Sequence, residues 1–112
     1  MQGEDLPNIT PSELKRRLDS SEPGERPLLL DVREPWEYER SRIEGSTLAP
    51  LSVLAEKGVP DPGDRETVVI CHHGVRSAHV ARLLLSAGFE RVLNLEGGLD
   101  AYAGVDPEVP RY

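Results

Sequence analysis

One cysteine, one tryptophan, one phenylalanine and one methionine are all that 112 residues contain of these types. A single thiol, Cys71, cannot close an internal disulfide, so nothing ties the chain to an oxidising compartment. No apolar run approaches the roughly 20 residues that span a bilayer. The opening Met1-Gln2-Gly3-Glu4-Asp5 is acidic and polar, unlike a secretory signal. These absences make a cytoplasmic location the expectation. There is no internal repeat and no long linker. A net charge of −7 removes the electrostatic case for nucleic acid or an anionic membrane as partner. The length fits one domain over 1–112, with a core at about 9–102 and a C-terminal tail at 105–112. That tail, with Pro107 and Pro110, can pack down or hang free.

Acid is missing from one place in particular. Thr67 to Phe89 holds no Asp or Glu, where 20 acids in 112 residues spread evenly would place about 4. The same stretch holds His72, His73, His79, Arg76 and Arg82. A locally cationic pocket in an acidic protein points to a small anionic substrate. The plainer alternative is that a buried strand and helix exclude acids.

What is present is an alternation of strands and helices. Asn8-Ile9-Thr10 reads as a short edge strand. Thr10 or Ser12 can cap a following helix, with Pro11 near its start and Leu14 and Leu18 on one face. Leu28 to Val32 is a continuous apolar run ending in an acid, as a buried parallel strand would be. A short charged helix at about Glu34 to Ser41 follows, then a brief strand near Thr47 and Leu48. Leu51 to Lys57 forms a helical stretch stopped by Gly58. Thr67 to Ile70 is a β-branched strand. Ser77 to Ala87 is a helix with Val80, Ala81, Leu84 and either Ala87 or Leu83 inward and Gly88 as its stop. Val92 to Leu95 is another strand, and Gly97-Gly98 opens a last helix through Tyr102. This pattern predicts an α/β fold: a central, mainly parallel sheet of about five strands with helices on both faces. In such sheets sites form beyond the carboxyl ends of strands, which is where Cys71 stands.

The stretch Cys71-His72-His73-Gly74-Val75-Arg76-Ser77 is therefore a strand-to-helix turn. Backbone N–H groups there can point inward as an anion-binding nest, and the helix adds its N-terminal partial charge. A thiolate is the form such a setting stabilises. Arg76 adds a permanent charge and a planar fork for an oxyanion. Gly74 permits backbone angles that a side chain forbids. Ser77 can cap the helix or donate to sulfur, and His72 and His73 can tune the thiolate or line the mouth. Each has a plainer role: Cys71 as a small buried hydrophobe, the histidines as solvated loop residues, His79 as helix surface. One Cys and three His within nine residues do not have a zinc spacing, so no metal site is expected.

At these residues the chain resembles the rhodanese family. Cys71 to Ser77 is similar to its Cys-x-x-Gly-x-Arg-Ser/Thr loop. Asp31-Val32-Arg33 with Glu37-Tyr38 resembles its Asp-Val-Arg-x-x-x-Glu-Tyr element, and Asn94 to Gly98 its later double-glycine element. Ser41-Arg42 replaces the usual Gly-His, and Tyr102 stands where tryptophan is common. The resemblance runs from about Ile9 to Tyr102 and implies a single rhodanese-like domain. It implies sulfur transfer without a cofactor, from thiosulfate or a similar small anionic donor to a thiophilic acceptor, through a persulfide on Cys71. It implies cyanide as the acceptor in vitro, and a thiol or a sulfur-carrier protein as the acceptor in the cell. Backbone N–H groups of His72 through Arg76, Val75 included, would hold the terminal sulfur, with Arg76 orienting the donor. Asp31 and Arg33 would support the loop by hydrogen bonds, Glu37 would pair with Arg33 at i, i+4, and Trp36 could flank the pocket.

Two other functions compete. Dual-specificity cell-cycle phosphatases and some arsenate reductases share the implied fold, but their loop is one residue longer; here His72, His73, Gly74 and Val75 alone separate Cys71 from Arg76. The acid-free stretch also offers such chemistry no general acid nearby. A non-enzymatic persulfide carrier or interaction module is the other class.

Overall fold

The computed structural model describes residues 6–112, so the acidic opening Met1 to Asp5 lies outside it. Five strands, β1 (Asn8–Ile9), β2 (Leu28–Asp31), β3 (Thr47–Leu48), β4 (Thr67–Ile70) and β5 (Val92–Leu95), form one sheet in the order β1-β5-β4-β2-β3. All its pairings are parallel. The helices are α1 (Pro11–Ser20), α2 (Pro35–Arg40), α3 (Leu51–Lys57), α4 (Val75–Ser86) and α5 (Gly98–Tyr102). The expected fold class is therefore the observed one.

The apolar runs are continuous because both sheet faces are covered. Side chains alternate across a strand, so each run feeds two cores. Leu29, Val68 and Ile70 join Leu14 of α1 and Leu99 and Tyr102 of α5 on one face. Leu30, Val69 and Cys71 join Val80, Ala81 and Leu84 of α4 on the other, with Leu54 of α3 packed against them. Burying each such side chain contributes about 1.5–3 kcal/mol before entropy is counted.

Local signals set the ends. Thr10 accepts the Glu13 N–H at 3.2 Å and caps α1, with Pro11 in its first turn. Gly88, at φ +101°, follows α4 as its stop. The inward face of α4 is Ser77, Val80, Ala81 and Leu84. Leu83 and Ala87, offered as alternatives for that face, are both exposed. Helix α4 also begins two residues earlier than expected, at Val75.

Described residues beyond Tyr102 return to the body of the molecule. Val109 is 6% exposed and joins the α1/α5 core, and Tyr112 packs against it. Among the described residues no helix is long and apolar enough to cross a membrane.

Candidate functional site around Cys71

Strand β4 is central, paired to β2 on one side and β5 on the other. Cys71 is the first residue past its carboxyl end and is 1% exposed. Three donors reach its Sγ: the Gly74 N–H at 3.0 Å, the Ser77 N–H at 3.3 Å and the Ser77 hydroxyl at 3.3 Å. Donors converging on one atom favour negative charge there. Ser77 was expected to cap the helix or donate to sulfur, and it donates; of the span His72 through Arg76, expected to hold a terminal persulfide sulfur, Gly74 donates to Sγ itself. The helix cap is Gly74, at φ +93°, so Ser77 enters the first turn with both its N–H and its hydroxyl turned to the sulfur.

The loop keeps this shape because α5 holds its other side. The N–H groups of Leu99 and Asp100 donate to the carbonyls of Cys71 and His72 at 2.8 and 3.0 Å. Gly98, at φ +66°, makes the approach possible: a Cβ there would run into both carbonyls. With its carbonyls drawn toward α5, the loop is free to present N–H groups to the sulfur.

Behind the thiol lies Asn94, a buried amide in otherwise apolar β5. Its Oδ1 is 2.5 Å from the Ser77 Oγ, and its amide nitrogen donates to the Asn8 side chain and the Gly74 carbonyl. Ser77 has one proton for two neighbours. If it donates to Asn94, the Cys71 S–H can donate to Ser77; once the sulfur is anionic, the Ser77 proton can turn to it. Asn94 was not singled out from the sequence, although a polar residue inside an apolar strand is itself the signal.

Arg76 is not an unpaired cation. Its Nη1 and Nη2 donate to Glu37 Oε1 and Oε2 at 2.8 and 2.9 Å. This corrects the expected pairing of Glu37 with Arg33: residue 37 faces α4, and Arg33 touches only its backbone carbonyl. Glu37 also accepts the Glu34 N–H and the Tyr112 hydroxyl. Arg76 above all, with those further donors, holds its carboxyl at about 2 against an ordinary 4.5, despite burial acting the other way. The stretch without acids in sequence thus meets acids in space, Glu37 on Arg76 and Asp100 near His73. At neutral pH Glu37 is held ionised and has no proton to give.

Asp31 and Arg33 are buried and paired through two contacts of 2.8 Å. Arg33 donates further to the Tyr112 hydroxyl and to the backbone carbonyls of Glu37 and Ser41. All five of its N–H donors are therefore used. Neither Asp31 nor Arg33 has a hydrogen bond to the Cys71 loop; Arg33 reaches it through Tyr112 and Glu37. Ser41 serves Arg33 through its backbone carbonyl, while its own hydroxyl is buried without a partner among the described residues.

His72 lies in a stack, with His73 at 4.0 Å on one side and Tyr112 at 4.2 Å on the other. Burial first, then the neighbouring His73, lowers its proton affinity, so the ring is neutral at pH 7. His73, Val75 and His79 are exposed. Trp36 is 59% exposed and meets Tyr112 edge-on. Ligand atoms of His72, His73 and Asp100 lie within 4.8 Å of one another. The imidazole planes are only 21° apart and their centroids 4.0 Å apart, however, so their lone pairs lie in separate, nearly parallel planes and do not converge on one ion. Arg111 already holds Asp100 at 3.2 Å.

Comparison with known proteins agrees with this architecture. A probable adenylyltransferase/sulfurtransferase, MoeZ, of Mycobacterium tuberculosis is 38% identical over an aligned length of 107 residues, and the match covers 93% of this chain and 26% of that protein. The chain thus spans about a quarter of that relative's length. A sulfurtransferase of Allochromatium vinosum is 36% identical over 76 residues, 68% of this chain and 71% of that one. The crystal structure of a rhodanese-related protein from Thermoplasma volcanium superposes with a TM-score of 0.79 at 29% identity, covering 96% of this chain and all of that one. The family model for the Rhodanese-like domain matches residues 10–104, and the chain belongs to that family.

Proposed function

We propose that this domain is a sulfurtransferase whose nucleophile is Cys71. The observation that carries the proposal is the convergence of the Gly74 N–H, the Ser77 N–H and the Ser77 hydroxyl on one buried sulfur. Such a setting stabilises a thiolate, and a thiolate needs no general base to attack. In the first half-reaction Cys71 Sγ attacks the outer sulfur of thiosulfate or a similar donor. A new S–S bond forms, the donor's S–S bond breaks, and sulfite leaves with the electron pair. In the second, cyanide or a thiolate attacks the terminal sulfur. The persulfide bond breaks, and its electron pair returns to Cys71 as thiolate. No cofactor enters either step. Arg76, fixed by Glu37 and with its side chain 41% exposed, still has N–H groups for the oxygens of a donor. Two half-reactions sharing one enzyme form give ping-pong kinetics.

The short loop supports sulfur over phosphate. It lacks the extra residue of the phosphatase ring, and Glu37 is too strongly held as a carboxylate to serve as general acid.

Intact mass after thiosulfate, then after cyanide, tests the proposal. Wild type gains one sulfur atom and loses it as thiocyanate. Cys71→Ser gains none, because a hydroxyl at neutral pH is not an equivalent nucleophile. No gain in wild type with thiosulfate or an organic persulfide would sink the proposal. A gain that cyanide and thiols cannot remove would make the domain a carrier that needs its protein partner.

A further inference from the structure

Tyr112 lies beyond residue 104, where the family match ends. It nevertheless touches the Cys71 loop and the frame behind it at once. Its ring stacks on His72 at 4.2 Å, with the planes 14° apart. The ring meets Trp36 edge-on at 6.3 Å. Its hydroxyl accepts from Arg33 Nη1 at 2.8 Å and donates to Glu37 Oε2 at 3.0 Å. The same Oε2 accepts from Arg76 Nη2 at 2.9 Å. Buried Val109 anchors the segment that carries it.

These contacts have a direction. Arg33 is immobile, being fully buried and gripped by Asp31. The Tyr112 hydroxyl passes that fixed point to Glu37, and Glu37 passes it to Arg76 in the first turn of α4. That turn also supplies the Ser77 donors to sulfur. The ring acts in parallel on His72, the residue next to the nucleophile.

Resting on the sulfur-transfer proposal above, we infer that Tyr112 is a positioning residue of this site. Its ring holds His72, and its hydroxyl ties the Glu37–Arg76 pair to Arg33, keeping the loop's N–H groups aimed at the sulfur. It acts through these groups and touches no substrate itself.

The test compares wild type with Tyr112→Phe, Tyr112→Leu and Val92→Ala. Val92 is buried at the amino end of β5, the end of the sheet away from Cys71, so Val92→Ala cuts a core contact outside the Tyr112 segment and serves as the stability control. Single-turnover persulfide formation from thiosulfate is followed by intact mass. Tyr112→Phe keeps the stack and loses the hydroxyl; the rate at saturating thiosulfate falls about 3- to 10-fold, with half-saturation nearly unchanged. Tyr112→Leu loses both, and the rate falls more than about 10-fold. Val92→Ala lowers the melting temperature at least as far as Tyr112→Phe does, yet leaves the rate within about twofold. Emission from Trp36 changes in Tyr112→Leu and not in Tyr112→Phe. A Tyr112→Phe rate equal to wild type, or a Val92→Ala rate loss matching that of Tyr112→Phe, overturns the assignment. Alkylation of Cys71 by iodoacetamide needs no sulfur donor. Tyr112→Leu should speed it at least about threefold by loosening the loop over a buried thiol, and an unchanged rate again overturns the assignment. If wild type forms no persulfide, the sulfur-transfer reading fails, while the alkylation result still decides the role of Tyr112 in holding the loop.

Discussion

Arg33 and Arg76 stand at the two ends of one hydrogen-bonded chain, and each grips a carboxylate through two nitrogens, yet their surroundings differ. The Arg33 side chain is wholly buried and its partner Asp31 nearly so, at 0% and 1% exposure. Glu37 is nearly as enclosed, at 6%, but its arginine is 41% exposed at the mouth of the site. Water can stabilise Arg76 if Glu37 is lost; if the Arg33 side chain is lost, Asp31 keeps only the backbone N–H of residue 33, at 3.2 Å, and no opposite charge. The same ion pair is therefore structural at one end of the chain and adjustable at the other.

The largest effect should come from breaking the buried end. Arg33→Met leaves Asp31 as an unpaired buried charge and also strands the carbonyl of Ser41. The expected cost is about 3–5 kcal/mol, a large share of the roughly 5–15 kcal/mol of a whole domain. Melting should fall by about 15 °C or more. Asp31→Leu combined with Arg33→Met should recover much of that loss, since two apolar side chains leave no charge unpaired. A single variant within about 1 kcal/mol of wild type would erase the difference between the two arginines.

At the exposed end the comparison sharpens into function. Glu37→Gln keeps the shape and removes the charge. Stability should drop by only about 1 kcal/mol, the scale of a solvent-accessible pair. Persulfide formation from thiosulfate should slow about tenfold, because Arg76 loses its fixed orientation. Arg76→Ala should, in addition, raise the thiosulfate concentration needed for half-saturation. A faster reaction in Glu37→Gln would mean that the free charge of Arg76, and not its placement, drives the donor's approach.

These two ends were unequally legible in the sequence. The β4 run, the glycine at residue 74, and the short spacing from Cys71 to Arg76 are contiguous, and contiguous chemistry can be read without a fold. The alternation of strands and helices likewise fixed which end of the sheet bears the site. Glu37 was visible but misassigned, because a spacing of four residues suggests a helix-surface pair. Arg33 in fact precedes α2 and points into the interior, which leaves the Glu37 carboxylate to α4. The stretch from Thr67 to Phe89 is free of acids along the chain only. Packing brings Glu37 and Asp100 to it, so the apparent local positive charge is largely met. Tyr112 gave no signal: a tyrosine in a proline-bearing tail has no periodicity to place it, and its partners lie more than seventy positions away in Arg33 and Glu37. Asn94 could have been flagged, since a strand interior rarely spends a position on an amide without a partner to satisfy it.

The smallest effect is also the one whose sign is most constrained. The Glu37 carboxyl titrates at about 2 in the folded protein, below its ordinary 4.5. The folded state thus binds that proton more weakly than the unfolded chain does. The stabilisation from its partners is complete above pH about 4.5 and is lost as pH falls toward 2. Because the Arg76 side chain is 41% exposed, the stake is modest, on the order of 1 kcal/mol. Urea melts of wild type and Glu37→Gln, taken from pH 7 down to pH 3, should therefore differ most at neutral pH and draw together as the solution turns acid. The Arg33→Met deficit should not close over the same range in this way if its origin is also the stranded Ser41 carbonyl, which does not titrate. Parallel curves for wild type and Glu37→Gln would show that the Glu37 charge contributes nothing to stability, and that its hydrogen bonds, which glutamine can partly reproduce, hold the mouth of the site.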